Sequence, residues 1–143
     1  MVDVNVVTAK LAELSRRIDR VRKRAKPSRA ELAADDDALD VVSLNLMVAV
    51  QACADIASHL IADEGWQPAS SIAESFRRLA ERGVISTSTA AVLSRAVGLR
   101  NIVAHGYERV DAEMVHEAST TGLTDLEMFM REVAVWLRTR IAQ

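Results

Sequence analysis

The sequence predicts an all-α protein, an antiparallel bundle of four long helices with one or two short ones. Three observations carry that expectation. Half of the 143 residues are hydrophobic by type and only 3% are aromatic, and the bias toward Ala, Leu, Val, Arg and Glu favours helix over a sandwich or barrel. Five glycines and two prolines leave little material for turns, so the elements must be long. Apolar residues recur at three- and four-residue steps, and no segment has a clear strand period.

Val4, Val7, Leu11, Leu14, Ile18 and Val21 mark a first amphipathic helix, punctuated by Pro27. Asp35, Asp36 and Asp37 then supply N-caps and favourable charge for a second helix. It runs to about Asp63 and stops at Gly65. Because that helix is apolar on most sides, it is expected to be the central, most buried element. Ser71 and Glu74 have capping-box spacing and open a helix through Phe76 and Leu79 that ends at Gly83. Ser86 and Ser88 cap a further helix, Thr89 to about Ala104, with Gly106 as its stop. Asp111 begins the last helix, which reads through Val115 and Leu126 to Ile141, with a break or kink expected at Gly122 among Thr120, Thr121 and Thr124.

Neither a repeat nor a linker divides the chain, so residues 1–143 are read as one domain. Apolar content is too high for intrinsic disorder. The lone Cys53 has no partner within the chain, which fits a reducing compartment. The opening residues lack a basic head and an apolar signal core. The longest apolar stretch, 41–50, contains Ser43 and Asn45 and is too short to span a bilayer. A soluble, cytoplasmic protein with no membrane association is the expectation.

The net charge of −2 argues against a general nucleic-acid coat, yet it hides an asymmetry. Lys10, Arg16, Arg17, Arg20, Arg22, Lys23, Arg24, Lys26 and Arg29 stand against only Glu13 and Asp19, half of the chain's 18 basic residues in one short stretch. Such a run is either a solvated helix face or a patch that meets phosphate or an acidic partner.

Few polar residues look out of place in a bundle, and the first group closes the Thr89–Ala104 helix. Asn101 and His105, four apart, lie within about 40° of one another on a helix, whereas Arg100 is displaced from His105 by about 140°. Both reach one ligand only if the arginine bends round or the last turn unwinds, and Gly106 supports unwinding. The negative end of the helix favours imidazolium at His105 while Arg100 opposes it, a balance that suits general acid–base work near neutrality. Arg100 offers a fork of donors for a phosphate and for the added charge of a pentacoordinate transition state. Asn101 is placed to orient the histidine or a substrate oxygen. Arg109 and His116 repeat the Arg-to-His spacing, but His116 falls inside the last helix and reads as structural. Three scattered histidines and one cysteine lack ligand spacing, so neither metal nor cofactor is expected.

A second polar stripe, Gln51, Asp55 and His59, lies along the long central helix at four-residue steps. Asp55 could pair with His59 or face Arg100 and hold its fork in place, a supporting role. The bland alternative is a satisfied internal pair. Cys53 and Met47 read as packing residues. Trp66 and Trp136 read as anchors of the core or of a dimer interface.

Arg100, Asn101, His105 and Tyr107, in the spacing Arg-x4-His-x-Tyr, resemble the active-site motif of the HepT-like toxins of the all-helical HEPN superfamily. Earlier in the chain, DIASHL at 55–60 and F..L...GVI at 76–85 match the same pattern. Leu99 and Ala104 stand where the family often carries an aromatic and a bulkier apolar residue, a difference that bears on cleft shape more than on reaction type. The resemblance implies a HEPN-type bundle acting as a homodimeric, metal-independent endoribonuclease, the paired motifs converging into one RNA-binding cleft. His105 would then be the acid or base for attack by the ribose 2′-hydroxyl, Arg100 would steady the phosphate and Asn101 would position groups in the cleft. It also implies an antitoxin partner, an MntA-type nucleotidyltransferase that transfers AMP to the motif tyrosine, here Tyr107. A second reading is a non-catalytic helical partner that binds and regulates such a nucleotidyltransferase. Overall acidity and the lack of an aromatic–basic platform favour that view, and the intact Arg100, Asn101 and His105 set favours the enzyme.

Overall fold

The computed structural model describes residues 2–104 and 111–142, and of 102–104 the backbone alone. Six helices follow one another: α1 (Val4–Arg24), α2 (Arg29–Ala33), α3 (Asp36–Asp63), α4 (Ile72–Glu81), α5 (Thr87–Ala104) and α6 (Ala112–Ile141). The four long elements stand where periodicity put them. The short α2 is an addition: Ser28 caps it by accepting from the Glu31 amide at 3.2 Å, and Leu32 buries its one apolar face.

Local chemistry sets the ends. Asp35 accepts from the Ala38 amide at 3.0 Å and so starts α3. Gly65, at φ 69°, takes the left-handed conformation that ends it, while the Trp66 amide returns to Ile61 O at 3.0 Å. Ser71 caps α4 through the Glu74 amide at 3.0 Å. The Glu74 carboxylate closes the reciprocal half on the Ser70 amide, at 2.8 Å, one residue earlier than a standard capping box. Gly83, at φ 74°, ends the α4 turn. α5 has a double cap: Ser86 Oγ accepts from the Thr89 amide at 3.1 Å, and Glu132 of α6 takes the Ser86 amide and the Thr89 hydroxyl.

One expectation is corrected. Gly122 does not break the last helix, which runs without interruption from Ala112 to Ile141. An isolated glycine weakens a helix by only about 1 kcal/mol, and packing along α6 outweighs it. Buried Val115, Ser119, Leu123, Leu126, Phe129, Val133 and Leu137 carry the inner face through that point.

Polar links give the helix directions. The Asp3 amide donates to Asp63 at 2.8 Å, and Arg17 donates to Asn45 at 3.0 Å, so α1 and α3 are antiparallel. Arg140 meets Glu64 at 2.5 Å, which sets α6 parallel to α3. Thr89 lies beside Glu132, and Leu99 beside Ala118 and Gly122, so α5 is antiparallel to α6 and therefore to α3. α3 touches every other helix and is, as anticipated, the central rod. By length and composition it could cross a membrane, but its apolar faces are spent inside the bundle. All six helices contribute to one core, in which fully buried Phe76 and Phe129 meet edge to face at 6.2 Å.

The caps make the fold acid-sensitive. Hydrogen bonds from Ser70 hold the Glu74 carboxyl below its ordinary value, and the Ala38 amide with Lys26 does the same for Asp35. Depressed carboxylates stabilise fully above their unfolded pKa values and lose that contribution as pH falls through the folded ones. Melting temperature is therefore expected to be level above about pH 5 and to fall below it. Glu74→Gln should flatten part of that acid limb, and an unchanged limb in the variant would count against the cap as its source.

Candidate functional site

The last described turns of α5 carry Arg100 and Asn101. Leu93 and Leu99 anchor this stretch in the core at 1% and 6% exposure. Arg100, seven residues after Leu93, shares its inward face; its side chain is half-buried and Asn101 is exposed. Arg100 Nη1 is buried and has no hydrogen-bond partner among the described residues. A guanidinium donor in that condition is uncommon, because burial without an acceptor forfeits the hydrogen bonds of water. His105 and Tyr107 lie outside the described residues, as do Gly106 and Arg109.

A groove of about 500 Å³ runs between α5 and α6 beside this turn. Leu99 forms its wall next to Arg100, small residues Ala96, Gly98, Ala118 and Gly122 leave it open, and Arg95, Glu117, Thr121 and Asp125 supply polar groups.

The stripe on α3 resolves differently from the expectation. Asp55 is exposed and accepts from Gln51 at 2.9 Å. His59 pairs instead with Asp63 at 3.0 Å, whose carboxylate also takes the Asp3 amide. Asp55 therefore does not pair with His59, and among the described residues no hydrogen bond or ion pair joins Asp55 to Arg100. Both carboxylates lie one helical turn from their partners, so each pair closes locally and no bond reaches α5.

His116 is structural, as read from its position: its Nε2 lies 3.1 Å from Lys26 O and ties α6 to the connection after α1. Cys53 is fully buried, and burial pushes its thiol pKa up, so it is a packing residue. Trp66 and Trp136 meet edge to face at 6.1 Å, with Arg82 over the first and Arg140 over the second. Both are partly buried against the core. The sequence had scattered these two tryptophans and two arginines, and the fold collects them into one cluster.

Much of the basic run is spent on ion pairs. Arg16 and Arg17 hold Glu13, Arg22 holds Glu127, Lys26 holds Asp35 and Arg29 holds Glu113. Arg20, Lys23 and Arg24 are exposed and form no ion pair among the described residues. α1 packs on α3 and α6 and does not touch α5. The residues from Lys10 to Arg24 therefore lie on a helix that packs away from α5, whereas Lys26 and Arg29 reach the first turns of α6 at His116 and Glu113.

One polar residue escaped attention as a site residue. Ser43 read only as an interruption of the apolar run 41–50, but it is 4% exposed and its Oγ is buried without a hydrogen-bond partner among the described residues. Its signal is a hydroxyl on the inner side of a central helix.

Comparison with known proteins gives a consistent family. The model of a family described as ribonuclease HepT-like matches residues 14–133. The mRNA nuclease HepT of Shewanella oneidensis is 29% identical over 126 residues, spanning 88% of this chain and 94% of that protein. A tri-AMPylated Shewanella oneidensis HEPN toxin, solved in complex with an MNT antitoxin, superposes with a TM-score of 0.83 at 29% identity, covering 94% of this chain and 99% of that one. The Bacillus subtilis cytosolic protein YutE has a TM-score of 0.86 over 99% of this chain and 95% of its own, at 12% identity, a likeness of fold alone.

Proposed function

The chain belongs to the ribonuclease HepT-like family, and from that premise we propose that it is the toxin of a toxin–antitoxin pair, a cytoplasmic endoribonuclease. The single observation that carries this reading is Arg100 at the end of α5, half-buried, with a guanidinium nitrogen free of any partner among the described residues. A structural arginine in a bundle is expected to find a carboxylate. One with no carboxylate partner among the described residues keeps an edge of its guanidinium for an incoming phosphate.

In this reading residues 1–143 form one domain that works as a homodimer, two motifs meeting in one RNA cleft. His105 takes the proton from the ribose 2′-hydroxyl, whose oxygen attacks the adjacent phosphorus. Arg100 stabilises the charge that gathers on the non-bridging oxygens, and Asn101 orients the reacting groups. The bond to the 5′-oxygen breaks and that oxygen is protonated, leaving a 2′,3′-cyclic phosphate and a 5′-hydroxyl. Acid–base transfer and charge stabilisation together suffice for this route.

Neutralisation is assigned to a nucleotidyltransferase of the MntA type, which would place AMP on Tyr107. An added anion two residues from His105 would repel the RNA backbone and fill the cleft. Expression of the chain alone is expected to arrest growth and fragment RNA, and co-expression of the nucleotidyltransferase is expected to restore growth. Intact mass should then place an adenylate on Tyr107, which is the only tyrosine in the sequence. Tyr107→Phe should keep the toxicity and lose the rescue. Harmless wild-type protein that leaves RNA uncut would remove the enzyme from this account.

A further inference from the structure

Two buried polar atoms are left unsatisfied at the same end of the bundle, one on each of two facing helices. Ser43 Oγ on α3 and Arg100 Nη1 on α5 are both shielded from solvent, and neither has a hydrogen-bond partner among the described residues. Their placement follows from helix geometry. Leu46 and Val50 of α3 line a cavity of about 40 Å³ together with Leu93, Ala96 and Leu99 of α5. Ser43 precedes Leu46 by three positions and Val50 by seven, so it shares their face. Asn45, two residues on, is bonded to Arg17 of α1, and a two-residue step turns Ser43 away from that helix. On α5, Arg100 follows Leu93 by seven positions and Ala96 by four, and so shares the face that meets α3. Because α3 and α5 are antiparallel, stepping back one turn on α3 and forward one on α5 leads to the same end of the cavity.

The chemistry of the two atoms is complementary. Nη1 can only donate, and a serine hydroxyl has two lone pairs to accept with. Each group alone carries the penalty of burial without a partner. A serine side chain moves among its staggered positions at little cost.

Resting on the reading of Arg100 as the phosphate-steadying group, we propose that Ser43 is its positioning residue. In the working enzyme Nη1 donates to Ser43 Oγ, which braces one edge of the guanidinium and leaves the other for the scissile phosphate. The role has no counterpart in the Arg-x4-His pattern, because Ser43 comes from a different helix more than fifty residues earlier.

The test is a double-mutant cycle on the full-length chain with wild type, Ser43→Ala, Arg100→Ala and the double variant, and with Ser43→Thr as the conservative control. RNA cleavage gives kcat and KM for each. Ser43→Ala is expected to lower kcat by roughly tenfold with KM little changed, since bracing acts where charge develops. Ser43→Thr, which keeps the hydroxyl, should recover most of the rate. In the Arg100→Ala background the serine change should cost nothing further. A Ser43→Ala enzyme with the wild-type kcat, or losses that multiply in the double variant, would overturn the proposal.

Melting temperatures of the same proteins form a second cycle that needs no RNA. If the wild type cuts no RNA, non-additive melting shifts sink the ribonuclease reading and keep the Ser43–Arg100 pair. Additive shifts in that case overturn both.

Discussion

His105→Ala is expected to yield a folded chain whose RNA cleavage falls by a factor on the order of 10²–10⁴, the span associated with losing a positioned acid–base group. The proton on the 2′-hydroxyl leaves with great reluctance near neutral pH, so a base within reach accounts for much of the rate. Arg100 and Asn101 remain in the variant and still hold the phosphate, so KM should change less than kcat. Timed cleavage of an end-labelled RNA measures the loss, and a thermal melt on the same preparation separates lost chemistry from lost fold. The corresponding expectation in cells is growth without arrest. A variant that cuts at the wild-type rate would remove His105 from the mechanism and favour a non-catalytic partner of the nucleotidyltransferase.

The largest expected effect on stability comes from Phe129→Ala. Phe129 is fully buried on α6 and meets fully buried Phe76 of α4 edge to face at 6.2 Å. Truncation removes that ring contact and opens a cavity beside Phe76, at a cost of about 3–5 kcal/mol. Against a total stability of roughly 5–15 kcal/mol, much of the margin would go, with a fall in melting temperature on the order of 10 °C. Met128, the preceding residue, is 40% exposed, and Met128→Ala should stay within about 0.5 kcal/mol. Urea unfolding of both variants decides the matter. Similar midpoints for the two would mean that the core is not built around the ring pair.

Much of the fold was legible because helix formation is local. The helical spacing of Val7, Leu14, Ile18 and Val21, at steps of seven, four and three and all buried in α1, needs no knowledge of the partner helix. Asp35, Ser71, Gly65 and Gly83 act within one turn of the ends they set, so they could be placed in advance. Gly122 was misjudged for the converse reason: its local preference is weak, and packing along the whole of α6 decides the outcome. The short α2 was also hidden, because five residues are too few to display a period.

The candidate site divides in the same way. Arg100, Asn101, His105 and Tyr107 fall within one stretch of eight residues, so their spacing alone made the motif visible. Asp55 and His59 were read as one stripe, yet each found a different neighbour on its own helix. Four-residue spacing states which groups can meet and leaves open which of two equally spaced partners is taken.

By itself the sequence determined the helical class, the helix ends and the motif, each of which depends on residues a few positions apart. Only the tertiary structure decided that Ser43 shares an end of the bundle with Arg100, that two tryptophans and two arginines gather into one cluster, and that α1 with its basic residues packs on α3 and α6 and not on α5. Those facts depend on which helix packs against which and in what direction. That choice follows from the summed burial of whole helix faces, a quantity that no short stretch of chain contains.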